Sequence, residues 1–262
     1  MRHRPVKDLH NKIKALGHLL LVPEFSSKPP LRWDTRQEGD PSVPPGTASH
    51  PGRWYEREAQ RYIIPEQFKD SQVYVEFGCG KGDFINALSQ TPDALKKGAL
   101  MVGIEGGGSI ILAAMRKTDE AGFSNVRYIN SYVNDAAKAF APDSLDGLFL
   151  NFSDPWPKDR HADRRLTAPS KAAAYHSVLK PGGFAVMKTD GKALYEYSLE
   201  TIRAAGFSML YQTTDLGSGL PEDLSPEIPE MALNGVMTQT EYERRFRGLG
   251  YPIYCFIAIR KA

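Results

Sequence analysis

The chain has 262 residues, 41% hydrophobic and 24% charged, with a formal net charge of +2 at pH 7. That is room and apolar content for one large α/β domain plus an extension, and it excludes a disordered or collagen-like polymer. So small a net charge names no polyanionic partner by itself, and any nucleic-acid surface has to be local. Cys79 and Cys255 are the only cysteines. No spacing pairs them, which points to a reducing, cytoplasmic setting, and no metal site is expected. The apolar run at 19–22 follows Arg2, Arg4, Lys7, Lys12 and Lys14. It is too short to span a bilayer and no small-residue cleavage site follows it, so no membrane partner is expected.

Residues 1–22 alternate bases with Leu9, Ile13, Leu16, Leu19 and Leu20, the pattern of a basic amphipathic helix that either contacts RNA or docks on the main domain. Seven prolines fall within 23–54, too many for regular structure, so that stretch reads as a loop. Helical character returns over 54–62. Residues 1–65 are thus an extension, and 66–262 form the main domain. There, strands are expected over 72–77, 99–105, 125–129, 145–152, 184–190, 207–213 and 253–259. Helices are expected over 83–89, 110–121, 136–140, 171–179, 194–205 and 242–248. Repeated βα units imply a doubly wound, mainly parallel seven-stranded sheet, with the C-terminal strand as an antiparallel insertion at the edge.

The fourth strand delivers an unusual mixture: Asp154, then Trp156 between Pro155 and Pro157, then Lys158, Arg160, His161, Arg164 and Arg165. Two prolines remove two backbone donors and fix φ, so the chain must leave the sheet rigidly. Open α/β sheets place their ligands at such strand exits. Trp156 can stack on a base or pack the loop, and the bases can neutralise phosphates.

Gly78, Gly80 and Gly82 follow the first strand and precede a helix, leaving backbone bare where a nucleoside must approach. A dinucleotide pattern would not place Asp83 here, because a carboxylate at a helix start repels a pyrophosphate. The same acidic entrance suits S-adenosylmethionine, which is cationic and carries no phosphate. Glu76 would then lie near the cationic end, and Glu105 would take the ribose hydroxyls. At the third-strand exit Asp135 is preferred for the adenine side, with Asn134 as the alternative.

Asn151-Phe-Ser-Asp154-Pro-Trp-Pro-Lys158-x-Arg160-His161-x-x-Arg164-Arg165-Leu166-Thr167, Phe184-x-x-x-Lys188-Thr-Asp190 and Thr240-Glu-Tyr-Glu243-x-x-Phe246 resemble the bacterial tRNA (guanine-N7) methyltransferases, over roughly residues 73–259. The resemblance implies a Rossmann-like, class I S-adenosylmethionine-dependent fold, and a guanosine in the variable loop of tRNA as acceptor. By that likeness Glu76, Glu105, Asp135 and Asp154 contact the cofactor, and Lys158, Asp190, Thr240, Glu241, Tyr242 and Glu243 line the guanosine site. Arg160, His161, Arg164 and Arg165 would touch RNA. Counted back from Asp154 without gaps, the family's third acid falls on Tyr132, so Asp135 requires a local shift.

Guanine N7 presents an unprotonated lone pair, so methyl transfer to it needs positioning and electrostatics rather than a general base. Asp154 is expected to stabilise the cation that develops on the purine, with Asp190 and Glu243 holding the donor edge of the base. Two other readings are an amino methyltransferase acting on adenine N6, suggested by Asp-Pro-aromatic, and a non-catalytic RNA-binding protein on the same scaffold. Either a monomer or a homodimer is compatible with the sequence.

Overall fold

A computed structural model of the protein describes residues 6–23, 61–132 and 135–261. In chain order the main elements are α1 (Leu9–Ala15), β1 (Val73–Phe77), α2 (Asp83–Ser89), α3 (Pro92–Lys96), β2 (Leu100–Ile104), α4 (Gly108–Glu120), β3 (Val126–Ile129), α5 (Ala136–Ala139) and β4 (Leu145–Asn151). They continue as α6 (Pro169–Val178), β5 (Leu179–Thr189), α7 (Lys192–Ala204), β6 (Phe207–Thr213), α8 (Glu230–Met237), α9 (Glu241–Gly248) and β7 (Tyr254–Arg260).

One seven-stranded sheet runs in the order β3-β2-β1-β4-β5-β7-β6. The β3 to β5 strands pair in parallel, while β7 is antiparallel to both β5 and β6. The C-terminal strand is therefore antiparallel at this margin of the sheet, one position in from the outermost strand, β6. Along each buried strand successive side chains enter opposite layers. Tyr74, Met101, Phe149 and Phe184 join Phe84, Ile85, Ile111 and Met115 of α2 and α4. Val73, Val75, Phe77, Leu148 and Leu150 join Ala139, Tyr175 and Ile202 of α5, α6 and α7.

The N-terminal segment docks on this domain. Ile13, Leu19 and Leu21 are buried, and Leu21 donates its N–H to the Tyr128 carbonyl at 2.9 Å, covering the edge of β3. Leu9 lies over Gly108 at the start of α4. Lys7, His10 and Lys14 remain on the outside. The loop expected over 23–54 lies outside the described residues except for Pro23. Most of the helix expected over 54–62 also lies outside; Arg61 and Tyr62 are not helical, and Tyr62 bridges Pro23 instead. No described helix is long and apolar enough to cross a membrane.

Two helices were not anticipated. Thr91 caps α3 through its hydroxyl, with Pro92 in the first turn, a start signal legible in principle. Within a stretch rich in prolines and acids, α8 buries Met231, Ala232, Gly235 and Val236. A Cβ on Gly235 would lie 2.1 Å from the Phe149 ring, so α8 packs on the sheet through a position that only glycine can fill.

Candidate active site

The chain reverses its direction across the sheet between β1 and β4, and the carboxyl ends of these neighbours form the crevice where such sheets bind ligands. Glu76 of β1 and Asn151 of β4 meet there. Asn151 Nδ2 donates to Glu76 Oε1 at 2.9 Å, and both residues are buried. Glu76 Oε2 and Asn151 Oδ1 are left buried without a hydrogen-bond partner. Burial pushes the Glu76 carboxyl up to about 8, against the lowering effects of the Asn151 bond, the Lys188 charge and the Ile85 backbone N–H, and with a further upward push from Asp83. Two unpaired acceptors at a switch point are costly alone and are satisfied by a ligand that donates, above all a cation.

Beyond β1 the chain takes positive φ at Gly78 (77°), Gly80 (54°) and Gly82 (76°). Their requirements differ. Nothing lies within 4 Å of a Cβ built on Gly78 or Gly80, whereas one on Gly82 would stand 2.7 Å from Tyr128 Oη and 2.9 Å from Ala114 Cβ. Gly82 therefore serves packing, and the open approach is at Gly78 and Gly80. Asp83 is paired with Lys117 at 2.6 Å, both partly exposed.

Glu105 follows β2 and accepts the Gly107 N–H on Oε1 at 2.7 Å, closing the turn into α4. Asp135 caps α5, its Oδ1 accepting from Ala137 N at 3.0 Å. Asn134 lies outside the described residues, and the Tyr132 ring lies against Gly106 while remaining 60% exposed. Sequence reasoning passed over Asn130 at the exit of β3, whose Oδ1 is buried and unpaired. The spacing carried no signal for it, since the burial of that one atom is set by tertiary packing.

After β4, Phe152 and Trp156 are held at φ 48° and 41°, sparsely populated conformations for bulky residues that survive only where the surroundings enforce them. Arg165 supplies part of that enforcement. Its guanidinium donates to the Trp156 carbonyl at 3.1 Å and, through Nε, to the Pro155 carbonyl at 3.2 Å, and it lies over the Tyr197 ring at 4.3 Å. The Trp156 ring meets His161 edge-on at 5.7 Å and carries Arg164 on its face at 5.0 Å. The Trp156 ring thus has contacts within the loop. Asp154, Lys158 and Arg160 stand exposed on the loop so formed.

At the opposite wall, Thr240 caps α9 by accepting the Glu243 N–H at 2.9 Å. Glu243 is fully buried; its Oε2 accepts from Lys188 Nζ at 2.8 Å, and Lys188 is equally buried. Lys188 also donates to the Thr238 carbonyl at 2.6 Å. Arg247 Nη2 comes within 2.8 Å of Glu243 Oε1, yet off the hydrogen-bonding direction, because Oε1 and Arg247 Nε both lack a hydrogen-bond partner. Glu243 thus clasps α9 to β5. Glu241 and Tyr242 are exposed at the start of α9, and half-buried Asp190 follows β5. Lys188 was visible in the sequence only as a member of a motif; its burial was not.

The expected residues therefore gather along the carboxyl edge of the sheet, in the loops after β1, β2, β4 and β5 and on α9. Among the described residues no group of three or more His, Cys, Asp or Glu side chains could hold a metal ion. A family model described as "Putative methyltransferase" matches residues 70–256. A tRNA (guanine-N(7)-)-methyltransferase of Lachnoclostridium phytofermentans is 34% identical over 211 residues, covering 76% of this chain and 91% of that protein. The enzyme of that name from Bacillus subtilis is 36% identical over 186 residues, covering 71% of this chain and 79% of that protein. Among solved structures, a SAM dependent methyltransferase from Aquifex aeolicus aligns with a TM-score of 0.48 at 12% identity, over 74% of this chain and 86% of that one, too distant to bear on the site. With relatives this similar over most of their length, the chain belongs to the tRNA (guanine-N(7)-)-methyltransferase family.

Proposed function

We propose that this protein methylates N7 of a guanosine in the variable loop of tRNA, in the cytoplasm, with S-adenosylmethionine as donor. The observation that carries the reading is the pair of buried, unpartnered acceptors, Glu76 Oε2 and Asn151 Oδ1, at the same strand ends from which the Asp154 loop departs. Such acceptors fit the ammonium group of the donor, and the bare backbone at Gly78 and Gly80 fits close approach of its nucleoside. Glu105, with one oxygen engaged by Gly107, keeps the other for the ribose hydroxyls. At the exit of β3, the unpaired Asn130 Oδ1 and the Asp135 oxygen left over from its helix cap are the acceptors available to the adenine amino group.

When bound, S-adenosylmethionine supplies an electrophilic methyl group on sulfur. The chain supplies geometry and charge. Guanine N7 has no proton to lose, so Asp154 acts on the cationic charge that grows on the purine rather than as a base. Lys158 and Asp190 flank the base, while Thr240 and Glu243 hold the wall that Glu241 and Tyr242 present. Arg160 meets phosphate, and His161, Arg164 and Arg165 shape the loop that carries it. Residues 1–65 serve as an extension of the catalytic domain, on which the segment 6–23 is docked.

Incubating the protein with tRNA lacking modifications and labelled S-adenosylmethionine, followed by nucleoside analysis, is expected to give 7-methylguanosine from the variable loop. Calorimetric titration with the donor alone is expected to show binding that Glu76→Gln weakens. Labelled N6-methyladenosine, or donor binding without any methylated nucleoside, would overturn the reading.

A further inference from the structure

A row of aromatic rings leads away from the catalytic loop. Phe152, two residues before Asp154, lies 5.6 Å from Tyr242; Tyr242 stacks on Phe246 at 4.6 Å and 24°; Phe246 meets Tyr251 at 5.6 Å. The outer rings are not covered, Tyr242 being 49% and Tyr251 55% exposed. Arg244 and Arg245 stand exposed on the same helix. Of the two α9 glutamates, Glu243 is buried in its ion pair and only Glu241 faces solvent.

Part of this row has a structural cause. Tyr251 N–H bonds to the Phe246 carbonyl at 3.1 Å and Gly250 N–H to the Arg247 carbonyl at 2.9 Å, with Gly250 at φ 77°. That is the Schellman ending, in which an apolar contact joins the residue after the glycine to the last turn. Any apolar side chain at 251 meets that need. It does not call for a half-exposed aromatic face continuous with the site and bordered by Arg245.

We propose that Tyr242, Phe246 and Tyr251 form a stacking platform for the unpaired RNA bases flanking the target guanosine, with Arg245 at its border facing a phosphate. This rests on the function proposed above. A guanine whose N7 reaches the sheet edge has left its neighbours in the RNA, and the stacking so lost is replaced on aromatic side chains. Planar faces beside an exposed guanidinium group match a base-and-phosphate chain better than they match an apolar protein surface.

Tyr251→Leu keeps the apolar contact of the helix ending and removes the aromatic face, whereas Tyr251→Phe keeps both. For Tyr251→Leu the KM for tRNA is expected to rise about tenfold, within the range for one base–aromatic stack, with donor affinity and melting temperature at wild-type values. Tyr251→Phe is expected to stay within about twofold of wild type. With 2-aminopurine next to the target guanosine, fluorescence is expected to be quenched on binding wild type and Tyr251→Phe, but not Tyr251→Leu. Wild-type KM and quenching in Tyr251→Leu would overturn the platform, as would loss of a wild-type dimer in sedimentation, which would make the patch a subunit interface. Absence of 7-methylguanosine with the wild-type protein would instead refute the underlying function.

Discussion

Under the proposed function, Asp154 and Glu76 represent two ways a carboxylate serves one site. Asp154 is exposed on a loop whose shape is held by Arg165, so its removal leaves packing untouched. Asp154→Ala is expected to lower 7-methylguanosine formation at least about a hundredfold, the scale for losing one preorganised electrostatic contact. Its melting temperature should match wild type, and a folded, nearly fully active variant would refute the role. Glu76 is buried, and its carboxyl is raised to about 8, against about 4.3 in an unfolded chain. Between those values the folded state holds a proton the unfolded state lacks, so this group's contribution to stability falls as pH rises and levels off above 8. Binding a cationic donor favours the carboxylate and has the opposite slope. Donor affinity should grow by up to about tenfold per pH unit below 8 and flatten above it. Calorimetry from pH 6 to 9 tests this, with Glu76→Gln expected to bind weakly and without the slope.

At the scale of elements, the site depends on how helices are fastened to the sheet. The Lys188–Glu243 pair is wholly buried and joins β5 to α9, so removing Glu243 strands the Lys188 charge, while removing Lys188 leaves Glu243 only the partly exposed Arg247. Lys188→Met and Glu243→Gln are each expected to destabilise the protein by about 3–5 kcal/mol in urea unfolding, and the double variant by less than their sum. Strict additivity would show that the pair is not coupled. The glycine loop after β1 divides in the same manner between fastening and access. Gly82→Ala forces a Cβ against Tyr128 and Ala114 at a positive φ, and should reduce stability by more than the about 1–2 kcal/mol of left-handed strain alone. Gly80→Ala meets open space, so its stability loss is the strain alone and its larger effect is on donor affinity. Equal losses of stability in the two variants would contradict this division.

Across the whole molecule, the alternation of apolar strands with helical stretches exposed the doubly wound sheet to sequence reading, because parallel strands buried on both faces are near-continuous apolar runs. Glu76, the glycines, Glu105 and Asp154 could be placed at strand exits from the sequence because the strands themselves were legible. Asn130, the partnership of Asn151 with Glu76, and the burial of Lys188 with Glu243 were not, since each depends on distant segments meeting. The docking of α1 belongs with these, its pattern having suited RNA contact and docking alike. Its placement carries a consequence for the donor site. Leu9 and Ile13 cover Gly108, directly after the turn that Glu105 closes through Gly107, and three successive glycines at 106–108 have little stiffness of their own. Leu19, 2% exposed, anchors the same N-terminal segment to the core. In Leu19→Ala the stability loss is capped by the free energy of undocking the segment, because local release precedes global unfolding. The effect should therefore appear first at the donor site, as a rise in the dissociation constant for S-adenosylmethionine of roughly three- to tenfold, about 0.7–1.4 kcal/mol. Hydrogen exchange at the Leu21 amide, bonded to Tyr128, should quicken in parallel while the main urea transition barely moves. Unchanged donor affinity with a fast-exchanging Leu21 would show that the extension shields the sheet edge without stiffening the Glu105 turn.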